Sequence, residues 1–219
     1  MSEPGRGRAA LLDAAAVLMD ERGIDNVSLN QINRASGHRN RSAVSYHFGS
    51  REAVVRELIT RTMESINAER NALLDHLETT GSALTERTVM EVAVGPFTRQ
   101  LRTEEGRRYL RLCAQLLNHP RFIADPQEII SANSSVQRCA SHLAPALAHL
   151  SPEVAAERAS QMLGLLVRAC ADQARLLDSD QPPRPALGIE AFTANLVDVL
   201  LAIFQAPTTL NADGPPPRH

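Results

Sequence analysis

Residues 28–52 read SLNQINRASGHRNRSAVSYHFGSRE, and their spacing predicts two short helices joined by a tight turn. Ser28 and Gln31 stand three residues apart at the start of the first helix, which is the spacing of a capping box. Gly37 tolerates the positive φ of a helix C-terminus, so we expect this helix to end there. The second helix is predicted over 41–47, with Asn40 as its N-cap.

A further helix is predicted ahead of this pair, over residues 6–22. Leu12, Ala15 and Met19 form its apolar stripe, and Gly23 is expected to end it in the left-handed conformation. Three short helices, of which the second and third share a glycine-containing turn, form the three-helix version of the helix-turn-helix.

Helical periodicity dominates the remaining sequence, and alternating β-branched runs are missing, so the predicted fold class is all-α. A long helix is expected from Arg51 to the break at 79–81, with Ser50 as its cap, and its length suits a connector. Gly95-Pro96 either kinks the following helix or divides it. The other helices are predicted at 83–101, 104–118, 126–149, 152–178 and 188–205.

The predicted organisation has three parts. Residues 1–50 are predicted to form the helix-turn-helix domain, and residues 51–206 a helical domain that also serves dimerisation. The Pro-rich tail at 207–219 is expected to be disordered.

A cationic stretch coincides with the predicted turn and its following helix. The whole chain has a formal net charge of -2, yet no Asp or Glu occurs between residues 34 and 51. Neutralising DNA phosphates requires such a local cluster, although an arginine run can also be a merely solvated face. The basic residues of this stretch are Arg34, His38, Arg39, Arg41, His47 and Arg51.

The composition argues against several other classes of protein. Cys113, Cys139 and Cys170 stand apart without metal-ligand spacing, and no nucleophile with a paired base is recognisable. No apolar run reaches the ~18 residues of a membrane span. The sequence therefore predicts a cytoplasmic protein with no membrane contact, no cofactor, no metal and no catalytic residues.

Three segments, LLDAAAVLMDERG, VSLNQINRASG and SAVSYHFGSREAV, resemble the N-terminal domain of the TetR family of bacterial regulators. Asn33 and Ser36 stand where that family usually has Ala. The stretch from Gly37 to Phe48 is one residue longer than the commonest family spacing. The matching positions are Leu12, Ala15, Ser28, Ile32, Gly37, Tyr46, His47, Phe48, Arg51 and Glu52.

The resemblance implies which residues meet double-stranded DNA. Base readout is implied for Arg41, Ser42 and Ser45, and arginine is the usual reader of guanine. Phosphate contacts, which position the protein without reading sequence, are implied for Ser28, Tyr46, His47 and Arg51. The lengthened turn adds Arg39 and Asn40 to the candidate DNA-binding residues.

The resemblance also implies that the domain of residues 51–206 binds a largely apolar small-molecule effector, in a pocket among its helices. Each candidate residue can equally belong to an ordinary helical core or surface. The apolar candidates are Leu77, Phe97, Tyr109, Cys113, Leu116, Met162 and Leu166, and the polar ones are Arg138, His142, Arg168 and Asp172.

The last two predicted helices carry much apolar surface. Two copies of this helix pair, packed as a four-helix bundle, would cover it in a homodimer. Burial within one chain is the alternative. The predicted interface residues are Leu163, Leu166, Val167, Phe192, Leu196, Val199, Leu200 and Ile203.

Together these features predict a sequence-specific DNA-binding transcription regulator and not an enzyme. We expect a ligand-responsive homodimeric repressor on a near-palindromic operator, in which the effector changes the angle of the long helix. One alternative is a helical small-molecule-binding or adaptor protein that has lost specific DNA readout. Another is an enzyme, although the sequence shows no catalytic constellation.

Overall fold

The computed structural model describes residues 4–37, 43–117, 119 and 133–208. Within these residues the secondary structure is helical and no strand occurs, which confirms the all-α prediction. None of the helices described is long and apolar enough to cross a membrane. The elements in chain order are α1 (Pro4–Arg22), a 3-10 turn (Ile24–Asn26), α2 (Leu29–Ala35), α3 (Ala43–Phe48), α4 (Arg51–Thr79), α5 (Glu86–Thr98), a second 3-10 turn (Arg99–Arg102), α6 (Glu104–Leu117), α7 (Ser134–Leu147), α8 (Pro152–Leu177) and α9 (Ile189–Gln205).

Local caps explain the bounds of the first helices. The Ser28 hydroxyl accepts from the Gln31 N–H at 3.3 Å, and the Gln31 side chain accepts from the Ser28 N–H at 2.8 Å, which confirms the capping box. Gly37 follows α2 with a φ of 71°. Ser50 caps α4 by accepting from the N–H of residue 53 at 3.1 Å. Gly23 ends α1 with the predicted positive φ, of 85°. Its ψ of 148° is extended and not that of a left-handed helix, and the chain leads directly into the 3-10 turn.

The later helices differ from the sequence predictions at two points. At a third point, Pro96, the structure decides between two predicted alternatives. The helix expected from residue 83 begins at Glu86, because the Thr85 hydroxyl caps it by accepting from the N–H of residue 88 at 3.2 Å. Pro96 lies inside α5 and does not divide it. The helix predicted over 126–149 is wrong across Asn133, which has extended backbone angles and stands as the N-cap of α7. Residues 126–132 of that predicted helix and the tail after residue 208 lie outside the described residues.

The chain divides into two compact units. Unit 1 takes its described residues from Met1–Ile66, Gln100–Ile123 and Cys170–Ala186. Within it α1 packs against α2, α3 and α6, so the helix-turn-helix shares a core with a residue of α6, Leu112. The division at residues 50 and 206 remains a prediction. One buried cluster of unit 1, around the helix-turn-helix, consists of Leu11, Leu12, Ala15, Leu18, Met19, Ile24, Val27, Ile32, Ala43, Val44, Val54, Val55 and Leu112.

Unit 2 takes its described residues from Asn67–Arg99, Ala124–Ala169 and Leu187–His219, and in it α5 packs against α9 and α7. The buried Arg158 donates to the Phe204 carbonyl at 3.1 Å and to the Pro207 carbonyl at 3.2 Å. The Phe204 carbonyl lies in the last turn of α9 and the Pro207 carbonyl just beyond it, where helical partners run out and a cation is favoured. Arg158 therefore caps α9 from α8.

Candidate nucleic-acid interface

The two faces of α3 differ in burial. Ala43 and Val44 are buried at 4% and 0% exposure, and α3 packs against α2 through this face. Ser45 and Tyr46 are exposed on the other side. The structure thus places two of the predicted DNA-binding residues on a solvent-facing surface. The candidates Arg39, Asn40, Arg41 and Ser42 lie outside the described residues, and their roles remain predictions.

Tyr46 is the most exposed large side chain of this surface. Its exposed fraction is 84%, and its ring meets the His47 ring edge-on with centroids 5.3 Å apart. Phe48 turns inward, and the Arg8 guanidinium lies 4.9 Å from its ring centroid. A tyrosine that buries so little of its ring stabilises the chain weakly, whereas its hydroxyl can donate to a phosphate.

Ser28, a predicted phosphate contact, already uses its hydroxyl in the cap of α2. The hydroxyl donates to Gln31 Oε1 at 2.8 Å while it accepts from the Gln31 N–H. A phosphate oxygen at Ser28 would therefore compete with Gln31 for the hydroxyl proton. The exposed position of Ser28 permits that exchange.

Arg51 is held by an acidic residue that the sequence did not single out. Its Nη1 donates to the Asp25 carbonyl at 2.7 Å, and its Nη2 donates to Asp25 Oδ1 at 3.0 Å. His119 Nε2 lies 2.9 Å from Asp25 Oδ2. Because arginine carries five N–H donors, these bonds leave donors for a phosphate. Asp25 and His119 are therefore further residues of the candidate site. No sequence pattern points to them, because the two residues are 94 positions apart.

A set of polar bonds ties α6 to the first helix of the helix-turn-helix. Arg111 donates from Nε and Nη2 to the two carboxylate oxygens of Asp20, at 2.8 and 2.6 Å. These bonds, with further ones to Asp178, raise the pKa of Arg111 above its ordinary value. Gln115 accepts from the Ile24 N–H at 3.1 Å and donates to the Met19 carbonyl at 3.4 Å. α6 thus holds the end of α1 and the turn that carries Asp25.

The predicted effector-pocket residues fall into both units and are described there separately. In unit 1, Tyr109 is buried, and burial raises the pKa of the Cys113 thiol to about 12, so the thiol is neutral. In unit 2, Phe97 is buried, and Arg138 and His142 bond to Glu78 at 2.9 and 3.2 Å on the surface. Arg168 is exposed, and the half-buried candidates are Leu77, Leu116, Met162, Leu166 and Asp172.

The described residues offer no group of three His, Cys, Asp or Glu side chains that could hold a metal ion. A cleft of unit 2 is lined by Arg87, Asp198, Leu201, Ala202 and Gln205. None of the predicted effector residues lines this cleft. The pocket residues therefore remain predictions.

The predicted interface residues separate into two groups by burial. Val167, Phe192, Leu196 and Leu200 have 8% exposure or less in a single chain. The three of these residues that lie on α9 are buried within the chain, where α9 packs against α5. Val199 is 40% exposed, and the residues Leu163, Leu166 and Ile203 are half-buried. Only this second group has apolar surface left for a partner.

Two solved structures share the fold of the chain over most of its length. One is "Probable transcriptional regulatory protein RHA5900", with 18% identity and a TM-score of 0.54 over 91% of this chain and 100% of that one. The other is NalD, the secondary repressor of the MexAB-OprM multidrug efflux pump in Pseudomonas aeruginosa, with 20% identity and a TM-score of 0.58 over 90% and 96%. No curated protein sequence matches the chain at a significant level.

Two family models match the sequence itself. The model described as "Bacterial regulatory proteins, tetR family" matches residues 11–58, which include α2 and α3. The model described as "Tetracyclin repressor-like, C-terminal domain" matches residues 91–202, just over half of the chain. The chain belongs to the TetR family of bacterial DNA-binding transcription regulators.

Proposed function

We propose that this chain is a ligand-responsive repressor that binds a near-palindromic operator as a homodimer in the bacterial cytoplasm. The observation that carries the proposal is α3, which buries Ala43 and Val44 and turns Ser45 and Tyr46 to solvent. This surface adjoins, in sequence, the stretch from residue 34 to 51 that has no acidic residue. A helix with one buried and one exposed face in a cationic segment suits the major groove.

Two kinds of DNA contact are proposed. Arg41, Ser42 and Ser45 read base edges, while Ser28, Tyr46, His47 and Arg51 hold phosphates. Base contacts determine which sequence is bound, and phosphate contacts determine how steeply the affinity falls with salt. The two groups can therefore be distinguished by separate measurements.

The homodimer is supported by the middle of α8. Met162, Leu163, Leu165 and Leu166 lie around the helix and are all half-buried, so apolar surface is left on several sides. At Gly164 an added Cβ would meet no atom within 4 Å. A partner helix can approach closely at such a glycine, and a two-fold axis there would give the paired recognition helices that a near-palindromic site requires.

The ligand response is proposed to pass through α4. This helix is continuous from Arg51, a proposed phosphate contact, to Thr79, and it belongs to unit 1 up to Ile66 and to unit 2 from Asn67. A largely apolar effector that favours one angle of α4 would alter the spacing of the recognition helices. Linkage then requires DNA to weaken effector binding by the same factor, typically about 5- to 150-fold.

The decisive experiment compares arginine variants on one operator. The operator is first selected from genomic fragments with the wild-type protein, and its affinity is measured by fluorescence anisotropy over a range of salt. We expect Arg51→Ala to lower the salt slope by about one unit, because one phosphate contact is lost. Arg41→Ala is expected to reduce discrimination against random DNA by roughly 5- to 150-fold, the range of one base contact.

The matched control is Arg87→Ala, which removes the same charge from an exposed Arg–Asp pair in unit 2. Equal effects of all three substitutions would show a general charge effect and refute the assigned roles. A wild-type protein that selects no DNA sequence would favour the alternative of a helical binding or adaptor protein.

A further inference from the structure

A side chain of α2 is bonded directly to the backbone of α3. Asn33 is buried at 4% exposure, and its Oδ1 accepts from the Val44 N–H at 3.1 Å. The two residues are eleven positions apart, and the bond itself is buried. It joins the two helices of the helix-turn-helix without passing through the turn between them.

The Val44 N–H needs an acceptor from outside its own helix. The first four N–H groups of a helix have no partner in that helix, and Val44 lies in the first turn of α3 as it begins at Ala43. A buried N–H is costly when it is left without an acceptor. Asn33 therefore caps α3 from a neighbouring helix.

The backbone carbonyl of Asn33 forms a second hydrogen bond, at the C-terminal end of α2. Its carbonyl accepts from the Ser36 hydroxyl at 2.9 Å, and the Ser36 N–H bonds to the Ile32 carbonyl at 3.0 Å. Asn33 and Ser36 are the two positions where the sequence departs from the family pattern in α2. Both polar side chains thus form hydrogen bonds that an alanine could not form.

We infer that Asn33 is a positioning residue for DNA readout, in that its buried amide sets the register and direction of α3 against α2. The inference rests on the proposed role of α3 in reading base edges. A longer connection constrains its ends less, and the segment after Gly37 has one residue more than the commonest family spacing. A direct bond between the helices replaces part of that constraint.

The consequence for function concerns specificity more than general affinity. Hydrogen bonds to base edges weaken steeply when the donor is displaced or tilted. Phosphate contacts made by long, flexible side chains tolerate a small rotation of the helix. Loss of the Asn33 bond is therefore expected to reduce preference for the operator while leaving binding to random DNA nearly unchanged.

The test uses the full-length protein and four variants. Asn33→Ala removes the acceptor oxygen. Asn33→Ser keeps a polar side chain, but one too short to reach the Val44 N–H. Asn33→Asp keeps an oxygen at the position of Oδ1. Asn30→Ala is the matched control, because Asn30 lies on the exposed face of the same helix. Amide hydrogen exchange at Val44 and anisotropy with operator and random duplexes are measured for each.

We expect Asn33→Ala and Asn33→Ser to increase exchange at Val44 by about 10-fold or more, since a buried bond is removed. Their ratio of operator to random-DNA affinity should fall by about 10-fold, with the salt slope unchanged. Asn33→Asp should keep the protection of Val44 from exchange, because it retains the acceptor oxygen. Asn30→Ala should resemble the wild type in both properties. If Asn33→Ala does not fold, Asn33→Ser provides the same comparison.

Three outcomes would count against the inference or the function beneath it. An unchanged affinity ratio in a folded Asn33→Ala or Asn33→Ser protein would overturn the inference. A parallel loss of operator binding, random-DNA binding and stability would also overturn it, because Asn33 would then be only structural. If the wild-type protein itself selects no operator, the proposed function is wrong. Amide exchange at Val44 then still shows whether the hydrogen bond from Val44 to Asn33 forms.

Discussion

Asp25 introduces a negative charge beside an arginine that is proposed to hold a DNA phosphate. Its side chain is 59% exposed, and it accepts from Arg51 while His119 approaches its second oxygen. A carboxylate near the phosphate backbone repels DNA, yet its hydrogen bonds hold the Arg51 guanidinium in place. These two effects can be separated, because asparagine keeps an acceptor oxygen and loses the charge.

We expect Asp25→Asn to increase DNA affinity at low salt by a few-fold and to lose this effect at high salt. The reason is that a surface charge interacts with the phosphates over about a Debye length, which shortens as salt increases. Anisotropy titrations at several salt concentrations provide the measurement.

The control for this prediction is Asp198→Asn, which neutralises a carboxylate of similar exposure that is likewise paired with an arginine, in unit 2. Its DNA affinity should equal that of the wild type. A decrease in affinity for Asp25→Asn would mean that the charge is needed to orient Arg51 and would contradict the prediction.

At the scale of elements, the entry into α6 depends on a close backbone approach. A Cβ built on Gly106 would lie 2.1 Å from the Gln100 carbonyl oxygen, which no real contact allows. Gly106 is buried, and its N–H is capped by the Thr103 hydroxyl at 3.0 Å. Because the same helix carries Arg111 and Gln115, its seating affects the bonds that hold α1.

We expect Gly106→Ala to lower the free energy of unfolding by about 1–3 kcal/mol, the cost of forcing extra volume into a packed site. Alanine favours a helix over glycine by only about 1 kcal/mol, so the clash should outweigh the gain. Urea denaturation followed by circular dichroism measures the difference.

The matched control is Gly164→Ala, also within a helix, where an added Cβ meets nothing within 4 Å in one chain. Because Gly164 lies in the proposed dimer contact, the variants are compared at protein concentrations at which the chain is monomeric. There Gly164→Ala should be as stable as the wild type or more so. Equal stability of Gly106→Ala and the wild type would show that the junction can shift at little cost.

At the scale of the whole molecule, the unburied apolar surface of α8 is what a second copy would cover. The half-buried group around Gly164 and the exposed Val199 contrast with Phe192, Leu196 and Leu200, which the chain buries by itself. A dimer interface would then consist of the surface of α8 and one side of α9. The apolar residues that are buried within the chain would not take part in it.

We expect Gly164→Arg to weaken the homodimer by at least about 10-fold, because a charged side chain would have to be desolvated at the helix contact. Operator affinity should fall with it, since half-sites are then bound singly. Sedimentation velocity over a range of protein concentrations measures the dimer constant. Ala144→Arg, on an exposed position of α7, is the control, and an unchanged dimer constant for Gly164→Arg would exclude this face.

Much of the fold could be predicted because its signals are local. The capping box of Ser28 and Gln31, the glycine after α2 and the bounds of α4 depend on residues within one or two helical turns of each other. Local reasoning was less successful at Asn133, whose extended angles interrupt the helix predicted over 126–149. The predicted interface residue Leu196 is buried within the single chain, and its place in a dimer remains a prediction.

By itself the sequence determined the helical class, the helix-turn-helix and the cationic stretch, because capping, periodicity and charge act between near neighbours. Only the tertiary structure decided how that motif is held. Asn33 reaches Val44, Arg51 reaches Asp25, and Arg111 of α6 reaches Asp20 across 91 positions. Such contacts join residues whose spacing follows no period, so they exist only once the helices have packed.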